Sequence, residues 1–191
     1  MRNIYVILIL VIGVSTVLFP SCKKEDSDDI SNFIKIDNQT YEIGVGLIQN
    51  YNSFEFTGNY LYSLSLYSKG INIVYKADTI NSITGSGSGL YFALFSSTSD
   101  GISAGKYRYE WPNLSNNKTN TNTYYWGMFF KDMDSASETE GESFEINSGE
   151  INVENNHANY VIQFEGTTTD NKKVSVYYSG ALPIYKGTDH N

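Results

Sequence analysis

Alternation of apolar and polar positions runs through most of the chain. In the stretch LYSLSLYS, Tyr62, Leu64 and Leu66 fall on one face and mostly serine on the other. This period of two is typical of a half-buried β-strand. Ile71 to Lys76 repeats the pattern, whereas Leu90 to Phe95, read as LYFALF, is apolar at every position. The first two segments predict strands, of which LYSLSLYS has one apolar face and one mostly serine face, and the third, apolar on both faces, predicts a central strand.

The remaining segments extend this picture to the whole body of the chain. Ile34 to Ile43 predicts a hairpin around the polar break DNQT, and Asn81 to Gly89, read as NSITGSGSG, predicts a flexible loop. Three further strands are predicted in the C-terminal third, at Gly149 to Glu154, Asn159 to Gly166 and Lys173 to Tyr178. About nine or ten short strands at such spacing predict an all-β fold, an antiparallel β-sandwich, with a barrel-like β fold as the alternative.

The N-terminal segment has the layout of a secretory signal peptide. Arg2 precedes an uncharged, mostly apolar run from Ile4 to Phe19, and a small residue, Ser21, stands before Cys22. The run is shorter than the roughly 20 apolar residues that a membrane-spanning anchor needs. We therefore predict a cleaved signal peptide over residues 1–21, an acidic linker over 22–32 and one β-sandwich domain over 33–187.

Cys22 is the only cysteine in the chain, and it directly follows this leader. The spelling Ser-Cys-Lys-Lys before acidic residues resembles the leader of outer-membrane and surface lipoproteins of the Bacteroidota. The resemblance implies that Cys22 carries the lipid, including palmitate, that anchors the domain to the outer membrane. Two or more acyl chains give stable anchoring. The segment KKEDSDD resembles the signal that sends such lipoproteins to the cell surface, with the periplasmic face as the alternative.

Three elements of the body look like a recurring layout in small lipoproteins of the same phylum: ISAGKYRY from Ile102, INSGEINV from Ile146, and YVIQF from Tyr160 with its following strand. The resemblance implies an all-β, surface-associated domain. This group of proteins has no agreed activity, so no catalytic residue is carried over from it.

Charge and composition narrow the classes of partner. The formal net charge is -8, with 13 basic against 21 acidic residues. Because binding to nucleic acid relies on clusters of Lys and Arg at the phosphates, no nucleic-acid partner is expected. The same charge gives no attraction to anionic lipid head groups, so the membrane contact is expected to come from the lipid on Cys22.

Residues for catalysis or metal binding are sparse in the sequence. His157 and His190 are the only histidines, which leaves little to build a zinc site or a Ser-His-Asp triad. We predict no catalytic residue, cofactor or metal. The weak calcium candidates Asp132, Asp134 and Glu138 lie in an acidic stretch without EF-hand spacing. A glycoside hydrolase is the enzymatic alternative, because its two carboxylates can be far apart in sequence.

Two aromatic rows are the better lead to a function. In TYYWGMFFK, alternation places Tyr124 with Trp126 on one face and Tyr125 with Phe129 on the other. A second row contains Tyr107, Tyr109 and Trp111. Each row is either core or a flat aromatic surface suited to sugar rings. The candidate glycan-binding residues are Trp111, Tyr109, Tyr107 and Trp126, with Trp111 preferred because it adjoins the amide-rich loop NLSNNKTNTN.

These observations favour a non-catalytic surface module for binding or adhesion, with glycan as the leading ligand. The alternative is a structural accessory of a surface protein assembly. Two tripeptides, Asp78-Thr79-Ile80 and Asp134-Ser135-Ala136, also resemble the O-glycosylation acceptor of exported Bacteroidota proteins. This resemblance implies modification at Thr79 and Ser135.

Overall fold

The computed structural model describes residues 32–56, 59–112, 120–134, 141–156 and 159–187. Cys22 with the rest of the leader, Ser135, Glu138 and both histidines lie outside these ranges. Regular structure in the described residues consists of β-strands without a helix. Within the same ranges, no helix has the length and apolar character needed to cross a membrane.

The described residues form eleven strands, which confirms the predicted all-β class and the approximate number of strands. In chain order they are β1 (Phe33–Ile36), β2 (Gln39–Phe56), β3 (Asn59–Ser68), β4 (Ile71–Lys76), β5 (Thr79–Ser96), β6 (Gly105–Tyr109), β7 (Thr123–Asp134), β8 (Glu142–Asn156), β9 (Asn159–Thr168), β10 (Lys173–Ala181) and β11 (Ile184–Lys186).

The strands join in one large, mainly antiparallel sheet with the order β1-β10-β9-β8-β6-β7-β5-β3-β2-β11. β4 pairs with β5, whereas β6 and β11 run parallel to β7 and β2. β1 pairs with β10 on one side and with β2 on the other, so the path of paired strands returns to its start. Successive strands are therefore held from both sides along most of this path.

The sheet curves so that strands that do not pair face each other across a single core, as in a β-sandwich. Phe92 of β5 and Phe164 of β9 belong to strands that do not pair, yet their ring centroids are 4.9 Å apart. Along β5, Leu90, Phe92 and Leu94 alternate into this core. The residues between them therefore point to the opposite, outer face of the sheet.

Several predicted strands are confirmed, and one predicted loop is wrong. The first hairpin is present as the antiparallel pair β1–β2. Asn81 to Gly89 is not a loop, because β5 runs through it without interruption. Gly85 has a φ of 95° and faces Gly70 so closely that a Cβ would collide with the Gly70 carbonyl. Glycine here allows two backbones to approach each other within a strand.

Candidate functional site

β7 contains an irregularity that turns two consecutive aromatic residues to the same side. Tyr124 is opposite Leu94 of β5 and Trp126 is opposite Ala93, so Tyr125 is left without a partner in the ladder. Such an extra residue is a β-bulge, and it shifts the alternation of the strand beyond it. Tyr125 and Trp126 therefore both point to the outer face of the sheet.

The bulge corrects the faces predicted for this strand. Simple alternation placed Tyr124 with Trp126 and Tyr125 with Phe129, and both pairings are wrong. Tyr124 and Phe129 are fully buried in the core, whereas Trp126 is 42% exposed. The period of two fails because one inserted residue moves every later side chain to the other face relative to the earlier ones.

Five aromatic side chains form what we name the outer aromatic face: Tyr91, Phe95, Trp111, Tyr125 and Trp126. The Tyr125 ring stacks on Phe95 at 5.3 Å and meets Trp111 edge to face at 6.3 Å. Trp126 meets Tyr91 edge to face at 5.4 Å. These distances lie within the range of favourable aromatic pairs, so the rings support one another.

Two of the four predicted glycan-binding residues belong to this face. Trp111 is 65% exposed and Trp126 is 42% exposed, which leaves much of each indole open to a ligand. β7 changes its partner from β6, at Thr123 and Tyr124, to β8, from Gly127 onward. Trp126 lies where the two pairings diverge. This position fixes the indole on a central strand of the sheet.

The other two predicted residues do not contribute to the face. Tyr107 is fully buried, and its hydroxyl donates to the Ser103 carbonyl at 2.9 Å. Tyr109 packs against the core, with its ring 5.6 Å from that of Tyr124. Tyr107, Tyr109 and Trp111 thus do not form one exposed row, because β6 turns its tyrosines inward and ends before Trp111.

Glu110, the residue before Trp111, belongs to a hydrogen-bonded polar pair. The Asn120 side-chain amide donates to a carboxylate oxygen of Glu110 at 2.7 Å, and both residues are exposed. The backbone N–H of Glu110 donates to the Tyr124 carbonyl at 2.9 Å, which continues the ladder just past β6. An exposed carboxylate and an exposed amide held together in this way can accept from and donate to the hydroxyls of a sugar ring.

Phenol groups supply further hydrogen-bonding atoms on this side of the sheet. Burial raises the pKa of Tyr91, and the nearby phenols Tyr51 and Tyr125 raise it further, while its hydroxyl is hydrogen-bonded with Ser63. Burial likewise raises the pKa of Tyr125, with Tyr51 as a second cause. Both phenols are therefore neutral at physiological pH and can act as donors or acceptors.

Two of the acidic candidates for calcium, Asp132 and Asp134, have polar partners. The Asp132 carboxylate lies 3.9 Å from the Lys131 ammonium, and the Ser86 hydroxyl donates to the Asp134 carboxylate at 3.1 Å. In the part of the chain that the structure describes, no three His, Cys, Asp or Glu side chains are grouped to hold a metal ion. Glu138 lies outside that part.

Thr79 begins β5, directly after the turn from β4. Its hydroxyl donates to the Lys76 carbonyl at 3.0 Å, and the residue is half-buried. O-glycosylation of Thr79 stays a prediction, as does that of Ser135.

Sequence reasoning missed three members of the outer aromatic face, namely Tyr91, Phe95 and Tyr125. The segment LYFALF carries a usable signal for the first two, because a strand that is apolar on both faces must place alternate aromatics outside the core. No comparable signal marks Tyr125, whose position depends on the bulge.

No protein-family model, curated protein or solved structure matches this chain. What the outer aromatic face can bind is therefore judged from its own chemistry. Exposed indole planes pack against apolar ring faces, and the adjacent carboxylate, amide and phenols can hydrogen-bond to hydroxyl groups.

Proposed function

We propose that this chain is a lipid-anchored, non-catalytic surface module that binds glycans through the outer aromatic face. The observation that carries the proposal is the pair of exposed tryptophans, Trp111 and Trp126, together with Glu110, which directly precedes Trp111 and is hydrogen-bonded to Asn120. A sugar ring has apolar faces and a polar rim, and this arrangement offers a partner to each of them.

The supporting residues favour binding by a rigid surface. Phe95 is buried beneath Tyr125, and Tyr125 in turn contacts Trp111. Trp126 stands on β7, which pairs with β5 on one side and with β6 and then β8 on the other. Side chains held on paired strands lose little conformational freedom when a ligand binds, and this improves affinity.

The anchor in this proposal is the lipid on Cys22. Its support is the leader pattern, in which a lone cysteine follows an apolar run and precedes KKEDSDD. Attachment there places the domain at the outer membrane, exposed on the cell surface, with Phe33 of β1 as the first strand residue after the linker.

A glycan array tests the binding function. The mature chain with Cys22→Ser, which removes the acylation point, is compared with the same chain carrying Trp111→Ala or Trp126→Ala. We expect each change to weaken glycan binding by roughly tenfold or more, as removal of an aromatic anchor does. Ile184→Ala is the matched control, because Ile184 is 42% exposed but lies on β11. Absence of binding to every glycan contradicts the proposal.

Two cell experiments test the anchor and its location. Radiolabelled palmitate is expected to mark the wild-type protein and not Cys22→Ser, and equal labelling of the two contradicts lipidation at Cys22. Protease added to intact cells is expected to degrade the domain, since it faces outward. A domain that is protected until the outer membrane is opened indicates the periplasmic face.

A second candidate function is that of a structural accessory within a surface protein assembly. Among the described strands, β4 pairs only with β5, so it presents an open edge, and Val74 and Ile83 on this hairpin are 44% and 38% exposed. An open edge with apolar side chains can pair with a strand of another protein. A photo-crosslinking residue at Val74 would form a discrete adduct on intact cells if this candidate holds.

A further inference from the structure

We infer that the outer aromatic face binds an extended, neutral oligosaccharide across two subsites, one on Trp126 and one on Trp111. This inference rests on the proposed function, and it specifies the class of glycan. It follows from the separation of the rings, their distinct supports and the charges around them.

The length of the face exceeds that of one sugar ring. Tyr91 and Phe95 are four residues apart on β5, which corresponds to about 13 Å along a strand. The backbone of Trp126 pairs with Ala93, midway along this span, and its ring reaches Tyr91 at one end, whereas Tyr125 stacks on Phe95 at the other. Trp111 extends the second end, because it contacts the Tyr125 ring. A ligand that covers both indoles must therefore contain several linked rings.

Each indole has its own support, so the two subsites are separable. Trp126 packs edge to face on Tyr91, and Trp111 packs edge to face on Tyr125. Removing one indole leaves the other with its supporting ring in place. A short ligand bound at one subsite is thus independent of the other indole, whereas a long ligand depends on both.

The charges near the face favour a neutral ligand. Glu110 directly precedes Trp111 in the chain, and Lys106 and Arg108 of β6 both contact one carboxylate, that of Glu150, at 2.6 and 3.1 Å. Hydrogen bonds from Lys106 and Arg108 lower the pKa of Glu150, so it remains ionised.

At the Trp126 subsite, Met128 is the next residue on the same face of β7. The partner of Met128 on β8 is the exposed Glu145. With a formal net charge of -8 for the chain, a glycan rich in uronic acid or sulfate meets repulsion at both subsites.

Calorimetric titration of the mature Cys22→Ser chain tests the inference. The probes are neutral gluco-, manno- and xylo-oligosaccharides of increasing length, together with an oligogalacturonate series. In the neutral series that binds, we expect affinity to rise with length until both subsites are filled and then to level off. Trp111→Ala and Trp126→Ala are each expected to weaken the longest ligand by roughly tenfold or more and to abolish the gain with length.

The variants also need a readout that separates folding from binding. Each should retain the cooperative thermal transition of the wild type, and Tyr125→Phe, which keeps the supporting ring, should retain the length dependence. Affinity that does not change with length, or long-ligand binding that survives loss of either indole, overturns the two subsites while leaving the proposed function intact. Tighter binding of oligogalacturonate overturns the neutral class. No binding of any glycan contradicts the proposed function itself.

Discussion

The Tyr62 hydroxyl holds the loop that follows β5, and its removal offers a sharp test of the packing. Tyr62 is fully buried on β3. Its oxygen accepts from the Gly101 backbone N–H at 3.0 Å and donates to the Thr98 carbonyl at 3.0 Å. The Asn50 side-chain amide donates to the same oxygen at 3.3 Å. Tyr62→Phe deletes this one atom and keeps the ring in the core.

The cost follows from which partners are left without a hydrogen bond. The Gly101 N–H is buried and loses its acceptor, whereas the Asn50 amide still has the Ser99 carbonyl at 3.3 Å. An unsatisfied buried polar group costs about 1–3 kcal/mol, so we expect the free energy of unfolding to fall by about 2 kcal/mol. For a urea m-value of about 2 kcal/mol/M, the midpoint of unfolding falls by about 1 M.

Urea unfolding followed by tryptophan fluorescence measures this change. Tyr177→Phe is the control, because Tyr177 is half-buried and its ring stacks on Phe33 at 6.4 Å near the edge of the core. The free energy of unfolding of Tyr177→Phe should lie within about 0.5 kcal/mol of the wild-type value. If Tyr62→Phe unfolds at the same urea concentration as the wild type, the assignment of the loop anchor to this hydroxyl is refuted.

Three further predictions concern pH, core packing and the bulge. Burial raises the pKa of Tyr62 to about 12 against a usual value of 10; the unfolded chain releases this proton first, so the free energy of unfolding should fall as pH rises from 10 to 12. Urea midpoints that stay constant over this range contradict it. Gly127→Ala brings a Cβ to within 2.9 Å of the Phe92 ring and 3.1 Å of Ile146, so thermal denaturation should show a loss of about 1–3 kcal/mol, unlike the exposed Asn147→Ala. Deletion of Tyr125 should preserve a cooperative melt, because Tyr124 and Trp126 then alternate regularly, but it should remove the gain of glycan affinity with length. Deletion of Met128 should instead prevent folding, since it reverses the faces of the rest of β7.

Local patterns predicted much of the strand content. LYSLSLYS falls within β3, and the three predicted C-terminal strands fall within β8, β9 and β10, because period-two alternation reflects a burial pattern that each strand carries by itself. Asn81 to Gly89 was misassigned for a related reason. Glycine disfavours strands in general, and its presence in β5 reflects close approaches to distant residues: a Cβ would collide with Gly70 at Gly85, with Ser68 at Gly87 and with Tyr67 at Gly89.

The candidate site was less predictable, because it depends on register between strands distant in sequence. Trp111 and Trp126 were identified from their residue type and position. Tyr125 was assigned to the wrong face, since the bulge is defined by the partners Ala93 and Leu94 on β5. Tyr107 was also predicted as a surface residue from its place in an aromatic row. Its phenol is buried instead, because the Ser103 carbonyl accepts a hydrogen bond from its hydroxyl.

The placement of β1 between β10 and β2 bears on how the domain would carry mechanical force. β1 forms four residue pairs with each of its two neighbours, and it is the first strand after Cys22 in the sequence. With the proposed lipid on Cys22 and the proposed glycan ligand both in place, a pull between them would enter the domain through this strand. Because both edges of β1 are paired, tension along its axis strains the two ladders together and does not open them one bond at a time. An adhesion module built in this way would hold its ligand under flow.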